Sequence, residues 1–473
     1  MATGLWSNGV NFQDTHHRMS NRNKKKRYFK HIRCQYSPIC LFLSLLALLL
    51  LGSGIAAMLV ALISIPKTTI TTTTVTATTV TTTTATTPTT TTATTTTTTS
   101  TTTTSMTSTT TSTTSTTTST ASTTTTTTPC NRFPTQVTYS TSTNPRSVAA
   151  ADVNGDSELD IIVANSGSAN VGVLLNNGNG TFAAQVSYLT SIGPYSVTVA
   201  DVNMDSKLDI IVANFGSNNV GILLNNGNGT FAAQVSYSTV VGPISVVAAD
   251  VNGDNKLDII VANFGSANVG VLLNNGNGTF AAQVTYSTGT NPRSVAAADV
   301  NGDNKLDIIV ANSGSANVGV LLKNGNSTFA AQVTYSIVTN PYSVVAADVN
   351  GDSTLDIIVA NSGSTNVGVF LNNGNGTFAA QVTYSTSTNP YSVVAADVNG
   401  DNKLDIIVAN YGSANVGVLL NNGNGTFAAQ VTYSTGTNPY SVVAADVNGD
   451  SKLDIIVANY GSNNIGVLLA VCN

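Results

Sequence analysis

Twenty-one of the 23 acidic residues of this 473-residue chain occupy three fixed positions of one short loop that recurs seven times. In the third copy the loop reads DVNGDNKLD, from Asp250 to Asp258, and runs straight into the apolar segment IIVAN. Asp250, Asn252, Asp254 and Asp258 hold positions 1, 3, 5 and 9, and the backbone carbonyl of Lys256 stands at position 7. Hard oxygen donors at alternate positions of a tight loop are what Ca²⁺ takes. The loop is not an EF-hand: position 12 is Val261, where a bidentate Glu is required, and a strand pattern follows in place of a helix.

The other six copies supply the same set. They are Asp152, Asn154, Asp156, Glu158 and Asp160; Asp201, Asn203, Asp205, Lys207 and Asp209; Asp299, Asn301, Asp303, Lys305 and Asp307. Then follow Asp348, Asn350, Asp352, Thr354 and Asp356; Asp397, Asn399, Asp401, Lys403 and Asp405; Asp446, Asn448, Asp450, Lys452 and Asp454. Asp and Asn also make plain turns, but a turn does not need three carboxylates, and like charges this close repel unless a cation lies between them. From Cys130 onward there are 22 acids and nine Lys/Arg, a balance of −13 that seven Ca²⁺ would bring to +1. Up to seven ions, one per copy, are therefore expected. The second copy is the weakest, because Met204 stands where the others have Gly.

The copies are 49 residues apart, and each period holds four short strand-like pieces, such as AAQVSYS, ISVVAAD, LDIIVAN and NVGVLLN, bounded by Gly, Asn, Pro or Asp. The NNGNG piece is an Asn-Gly hairpin turn. Four strands per period, seven times over, predict an all-β, seven-bladed β-propeller of four-stranded antiparallel blades. An open solenoid is the alternative. The phase of the repeat favours a ring: the first piece, FPTQVTYS from Phe133, is a blade's last strand, and NNIGVLL from Asn463 is a third strand. Together the two fragments complete one blade. Cys130 and Cys472 flank the repeats, and pairing those strands brings the two sulfurs to one end, where a disulfide is expected.

The motif DVNGDNKLDIIVANFGSANVGVLLNNGNGTF resembles the FG-GAP/VCBS repeats, including the calcium-binding blades of the integrin α-subunit propeller, over residues 133 to 472. The resemblance implies a seven-bladed propeller that binds proteins or glycans at a cell surface, with Ca²⁺ in the loop between a blade's first two strands. No leg domains follow the repeats and an apolar segment precedes them, so integrin heterodimer formation does not carry over.

Ahead of the repeats, residues 1–38 carry eight Lys/Arg against one acid, Asp14. Residues 39–65 are 27 residues without a charge, longer than the ~20 a helix needs to cross a bilayer. That core is too long for a cleaved signal peptide. The positive-inside rule makes 1–38 a cytoplasmic tail and 39–65 a single-pass signal anchor, placing the repeats outside the plasma membrane. Cys34 and Cys40 lie near the membrane edge, in position for palmitoylation. Residues 66–129, nearly all Thr, have nothing to bury and read as a disordered, mucin-like stalk. The domain at its end spans 130–473.

Three function classes are consistent with this plan. A recognition or adhesion module binding a protein or glycan leads. An enzyme is disfavoured, since the repeats contain no His and commit their carboxylates to metal. A glycosylated surface coat without a specific ligand is the third. Nucleic acid is not an expected partner. The sequons at Asn179, Asn228, Asn277, Asn326, Asn375 and Asn424 all fall in the Asn-Gly turn, on the calcium side of the ring. The copies differ most on the opposite side. After the loop proline stand Arg146, Tyr195, Ile244, Arg293, Tyr342, Tyr391 and Tyr440; after the second strand stand Ser166, Phe215, Phe264, Ser313, Ser362, Tyr411 and Tyr460. Exposed Tyr and Arg there suit a contact surface, and Arg146, Tyr195, Arg293, Tyr342, Tyr391, Tyr440, Tyr411 and Tyr460 are the candidate ligand-binding residues. Inter-blade packing is the competing role for these rings.

Overall fold

The computed structural model describes residues 133–325, 328–337 and 339–471. The tail, anchor and stalk expected over residues 1–129 lie outside these, as do Cys130, Asn326 and Cys472. Among the described residues no helix is long and apolar enough to cross a membrane.

Among the described residues, twenty-eight strands form seven four-stranded antiparallel sheets. Six sheets are consecutive in sequence. The seventh joins the two ends of the repeat region: β1 (Val137–Ser140) pairs with β28 (Asn464–Leu468), beside β27 (Asp454–Asn459) and β26 (Pro439–Ala445). Val137 lies opposite Val467 and Ser140 opposite Asn464. The ring is closed and the solenoid is excluded.

The second strand of every blade is DIIVAN, and all six of its residues are buried. Because side chains alternate across a strand, Ile161 and Val163 enter one core layer and Ile162 and Ala164 the next. Each layer is shared by two blades. In one, Ile162, Ala164 and Val171 meet Val197, Ile210, Val212 and Leu223 of the next blade. This two-sided burial explains why the segment is a continuous apolar run and not an alternating one. Each fully buried Ile or Leu contributes about 1.5–3 kcal/mol.

An aromatic clasp repeats at the rim. Tyr188 of the first blade's outer strand meets Phe231 of the second edge-on, centroids 5.3 Å apart, and donates from its hydroxyl to the Gly229 carbonyl. Tyr139–Phe182, Tyr237–Phe280, Tyr286–Phe329, Tyr335–Phe378, Tyr384–Phe427 and Phe133–Tyr433 complete seven such joints, two of them across the closing blade. Such pairs contribute about 0.5–1.5 kcal/mol each beyond their buried area. The repeated Phe is thus part of the core.

Candidate functional site

The first strand of each blade lies innermost, against its counterparts in the neighbouring blades. Its two ends face opposite sides of the ring. At one end Ala151 pairs with Asp160 across the acidic loop; at the other, Pro145 pairs with Asn165. The sequon turn follows the third strand and lies on the acidic-loop side, where the Asn176 backbone N–H donates to Asp160. Acidic loops and sequon turns therefore share one face, and the proline loops occupy the other.

The three carboxylates of a loop have three different environments. Position 9 is fully buried in every blade: Asp160, Asp209, Asp258, Asp307, Asp356, Asp405 and Asp454 are inaccessible to solvent. One oxygen of each accepts the N–H of the valine at position 2, and the other accepts an N–H at the end of the third strand. Val153 and Asn176 donate to Asp160 at 3.0 and 2.8 Å, and Val251 and Asn274 to Asp258 at 3.1 and 2.8 Å. The pattern holds in the remaining blades. Burial pushes the position-9 carboxyls above the usual carboxylate range, to about 6 for Asp405 and Asp454, with the position-5 and position-1 carboxylates adding to the rise.

Position 1 anchors the loop's backbone. Asp250 accepts N–H groups from Gly253 and Asn255, both at 2.7 Å, and the Asn252 side-chain oxygen accepts from Asp254. Position 5 is at the surface. Its carboxylate accepts the position-7 N–H, and in five loops it also pairs with the position-7 lysine: Asp205–Lys207, Asp254–Lys256, Asp303–Lys305, Asp401–Lys403 and Asp450–Lys452, at 2.8–3.4 Å. The first and fifth loops have Glu158 and Thr354 there instead. Among the described residues no three carboxylate, His or Cys groups already converge on one point. The donor set is nevertheless all oxygen, and the mutual repulsion within each loop is what a hard cation relieves. The residues that would hold Ca²⁺ are those at positions 1, 3, 5 and 9 with the position-7 carbonyl, each lysine giving way. Position 9 also pins the loop to the end of the third strand.

Met204 adopts φ 65°, in the left-handed region its glycine counterparts favour, with Gly253 at 78° and Gly400 at 75°. Among the described residues, Asp201 accepts from Asp205 and Ser206 but has no bond from Met204, whereas Gly253 donates to Asp250. A side chain in this region costs roughly 1–3 kcal/mol. Met204→Gly is expected to stabilise the protein by about 1 kcal/mol, read as a rise in unfolding temperature; an unchanged or lower temperature contradicts the strain assignment.

On the opposite face the structure adds a feature the sequence did not reveal. Every first strand carries a bulge immediately after its proline, so the residue there is left out of the ladder. A bulge re-aims its side chain. The seven bulged residues, Arg146, Tyr195, Ile244, Arg293, Tyr342, Tyr391 and Tyr440, line one cavity of about 250 Å³, joined by Phe215, Phe264, Tyr411 and Tyr460. All eight candidate ligand-binding residues are therefore in one place. They are half-buried and pack on one another, where exposed ring-top side chains were expected. Tyr342 stacks on Tyr391 at 3.9 Å, Tyr391 on Tyr411 at 4.3 Å, and Tyr195 on Phe215 at 4.6 Å. Ser166, Ser313 and Ser362 stay outside the cavity lining; Ser166 instead accepts from Arg146 Nε at 3.1 Å.

FG-GAP-like repeat units match this chain six times in overlapping succession, over residues 152–212, 201–261, 250–310, 299–359, 348–408 and 397–457. The protein belongs to the FG-GAP-like repeat family. The matched span contains the acidic loops through Asp454, and successive matches are offset by the 49 residues that separate successive blades. No curated protein matches the chain. Among solved structures, virginiamycin B lyase from Staphylococcus aureus is 12% identical, with a TM-score of 0.52 over 72% of this chain and 100% of its own. Kuenenia stuttgartiensis hydrazine synthase is 15% identical, with a TM-score of 0.52 over 70% of this chain and 96% of its own. An Agrocybe aegerita lectin that recognises non-reducing terminal N-acetylglucosamine is 24% identical, with a TM-score of 0.47 over 68% of this chain and 86% of its own. The likeness to the lyase and the synthase, at these identities, shows the fold alone.

Proposed function

We propose that this FG-GAP propeller is a recognition module, held at the cell surface and stiffened by Ca²⁺, that binds a protein or glycan through the cavity of bulged residues. One observation carries the reading: a framework repeated almost unchanged seven times presents Arg, Tyr and Ile at one position, and the fold gathers those unlike side chains on its axis. Pockets that fix a ligand combine aromatic walls with a few directed polar groups. The FG-GAP propeller, often a ligand-binding or adhesion module, supports binding over catalysis.

The rest of the chain completes the proposal. Residues 39–65 anchor it in the plasma membrane with 1–38 inside, the Thr-rich segment spaces the ring from the bilayer, and the sequons carry glycans on the acidic-loop face. Cys130 and Cys472 close the ring covalently, which peptide mapping without reduction checks: two alkylated free thiols reject the bond.

The test of the face uses the full chain on a glycan array and in surface-protein pull-downs. Tyr342, Tyr391 and Tyr440 are too closely packed for truncation to leave folding intact, so the variant is Y342F/Y391F/Y440F, which keeps the rings and removes the hydroxyls. It is expected to bind ligand roughly tenfold more weakly with its unfolding temperature nearly unchanged. Replacing the six sequon asparagines with Gln is expected to spare binding. The converse result, binding kept by the Phe variant and lost with the sequons, overturns this reading in favour of a glycan coat.

A further inference from the structure

Among the described residues the cavity is lined by two guanidinium groups and no acid. Arg146 lies over the Tyr195 ring at 3.8 Å, with the Tyr440 and Tyr460 rings at 4.8 and 5.0 Å, and its Nη1 donates to the Tyr440 hydroxyl at 2.8 Å. Arg293 lies over Tyr342 at 3.6 Å, with Phe264 at 5.3 Å. Among the described residues every ion pair is a lysine pair within an acidic loop. Glu158 and the 21 loop aspartates all belong to the other face. Both guanidiniums line this one cavity although they come from the first and fourth blades. Burial pushes the Tyr440 and Tyr342 hydroxyls above their usual range, which keeps them protonated and able to donate.

We infer that the cavity takes a compact anionic group, a carboxylate or sulfate carried by a terminal acidic sugar. This rests on the face assigned above. Cations held against rings without a counter-ion keep their attraction for an anion, and a planar guanidinium matches carboxylate or sulfate in a two-pronged contact. A cavity of about 250 Å³ has room for a terminal sugar residue. Aromatic walls suit the apolar face of a sugar ring.

The test is calorimetric titration of the full chain with glucuronate, N-acetylneuraminate, glucose 6-sulfate, neutral glucose and a short poly-glutamate peptide. At least one acidic sugar is expected to bind at least about tenfold more tightly than glucose, with affinity falling as NaCl rises from about 0.05 to about 0.5 M. Arg146 is wedged among three rings, so the diagnostic change is at Arg293, for which no hydrogen bond to the protein is found among the described residues. R293Q should weaken binding about tenfold with the unfolding temperature unchanged, and R293K should weaken it less. No binding by any acidic sugar, or equal binding of glucose with no effect of R293Q, overturns the anion inference. In the second case, loss of glucose binding by the Phe variant leaves the face assignment standing. Poly-glutamate binding as tightly as the acidic sugars overturns the choice of a sugar.

Discussion

Stripping divalent cations from the full chain with EDTA is expected to lower its unfolding temperature by on the order of 15 °C. At ~10-fold excess over Kd, each occupied site stabilises the ring by about 1.4 kcal/mol, so seven sites approach ~10 kcal/mol. That is comparable to a whole domain's stability of roughly 5–15 kcal/mol, and at roughly 2.1 cal/mol/K of unfolding entropy per residue each kcal/mol moves the midpoint of a ring this size by roughly 1.5 °C. The loops have reason to respond. Each packs carboxylates from positions 1, 5 and 9 close enough that the outer two raise the proton affinity of the buried one. Differential scanning calorimetry with and without EDTA, alongside elemental analysis, measures the effect. An unchanged midpoint together with no bound calcium would show that the lysines of five loops suffice as counter-charges, and the calcium proposal would fail.

The second large effect separates structural from cation-dependent roles within one loop. Asp258 accepts two buried backbone N–H groups, from Val251 and Asn274, that belong to different elements. Asp258→Ala leaves both donors without partners, each worth about 1–3 kcal/mol. The expected loss is roughly 3–5 kcal/mol, and it should persist in EDTA. Asp254, at the surface and facing Lys256, has no such duty. Asp254→Asn should change little in EDTA and should lose only the increment that calcium adds. Denaturant unfolding of both variants, with and without calcium, gives the four values needed. If Asp258→Ala is silent in EDTA, the position-9 aspartates are ligands alone and their role as pins is wrong.

Most of the fold was legible in the residues because each feature is local and repeated. A 49-residue period with four bounded β-branched runs specifies four-stranded blades. The phase of the first and last runs specifies β1 beside β28. The Asn-Gly turns and acidic loops fall on one side because consecutive antiparallel strands alternate ends. Even the strain at Met204 is readable, since the same position is Gly in the other six loops.

What only tertiary structure decided is what lies across blade boundaries or in the register of a ladder. The sequence groups three aspartates as equivalent ligands. Folding divides them, because position 9 falls opposite Ala151 at the strand's start and is sealed beneath the loop, while position 5 stays in water beside a lysine. The residues after the proline read as exposed variation on a rim. A bulge in each innermost strand turns them toward the axis, so that Arg146 and Tyr440, 294 positions apart, come within hydrogen-bond distance. Local periodicity reports which face of a strand is apolar, but a one-residue bulge leaves that pattern almost intact. Only closure of the ring brings seven such positions to a common centre.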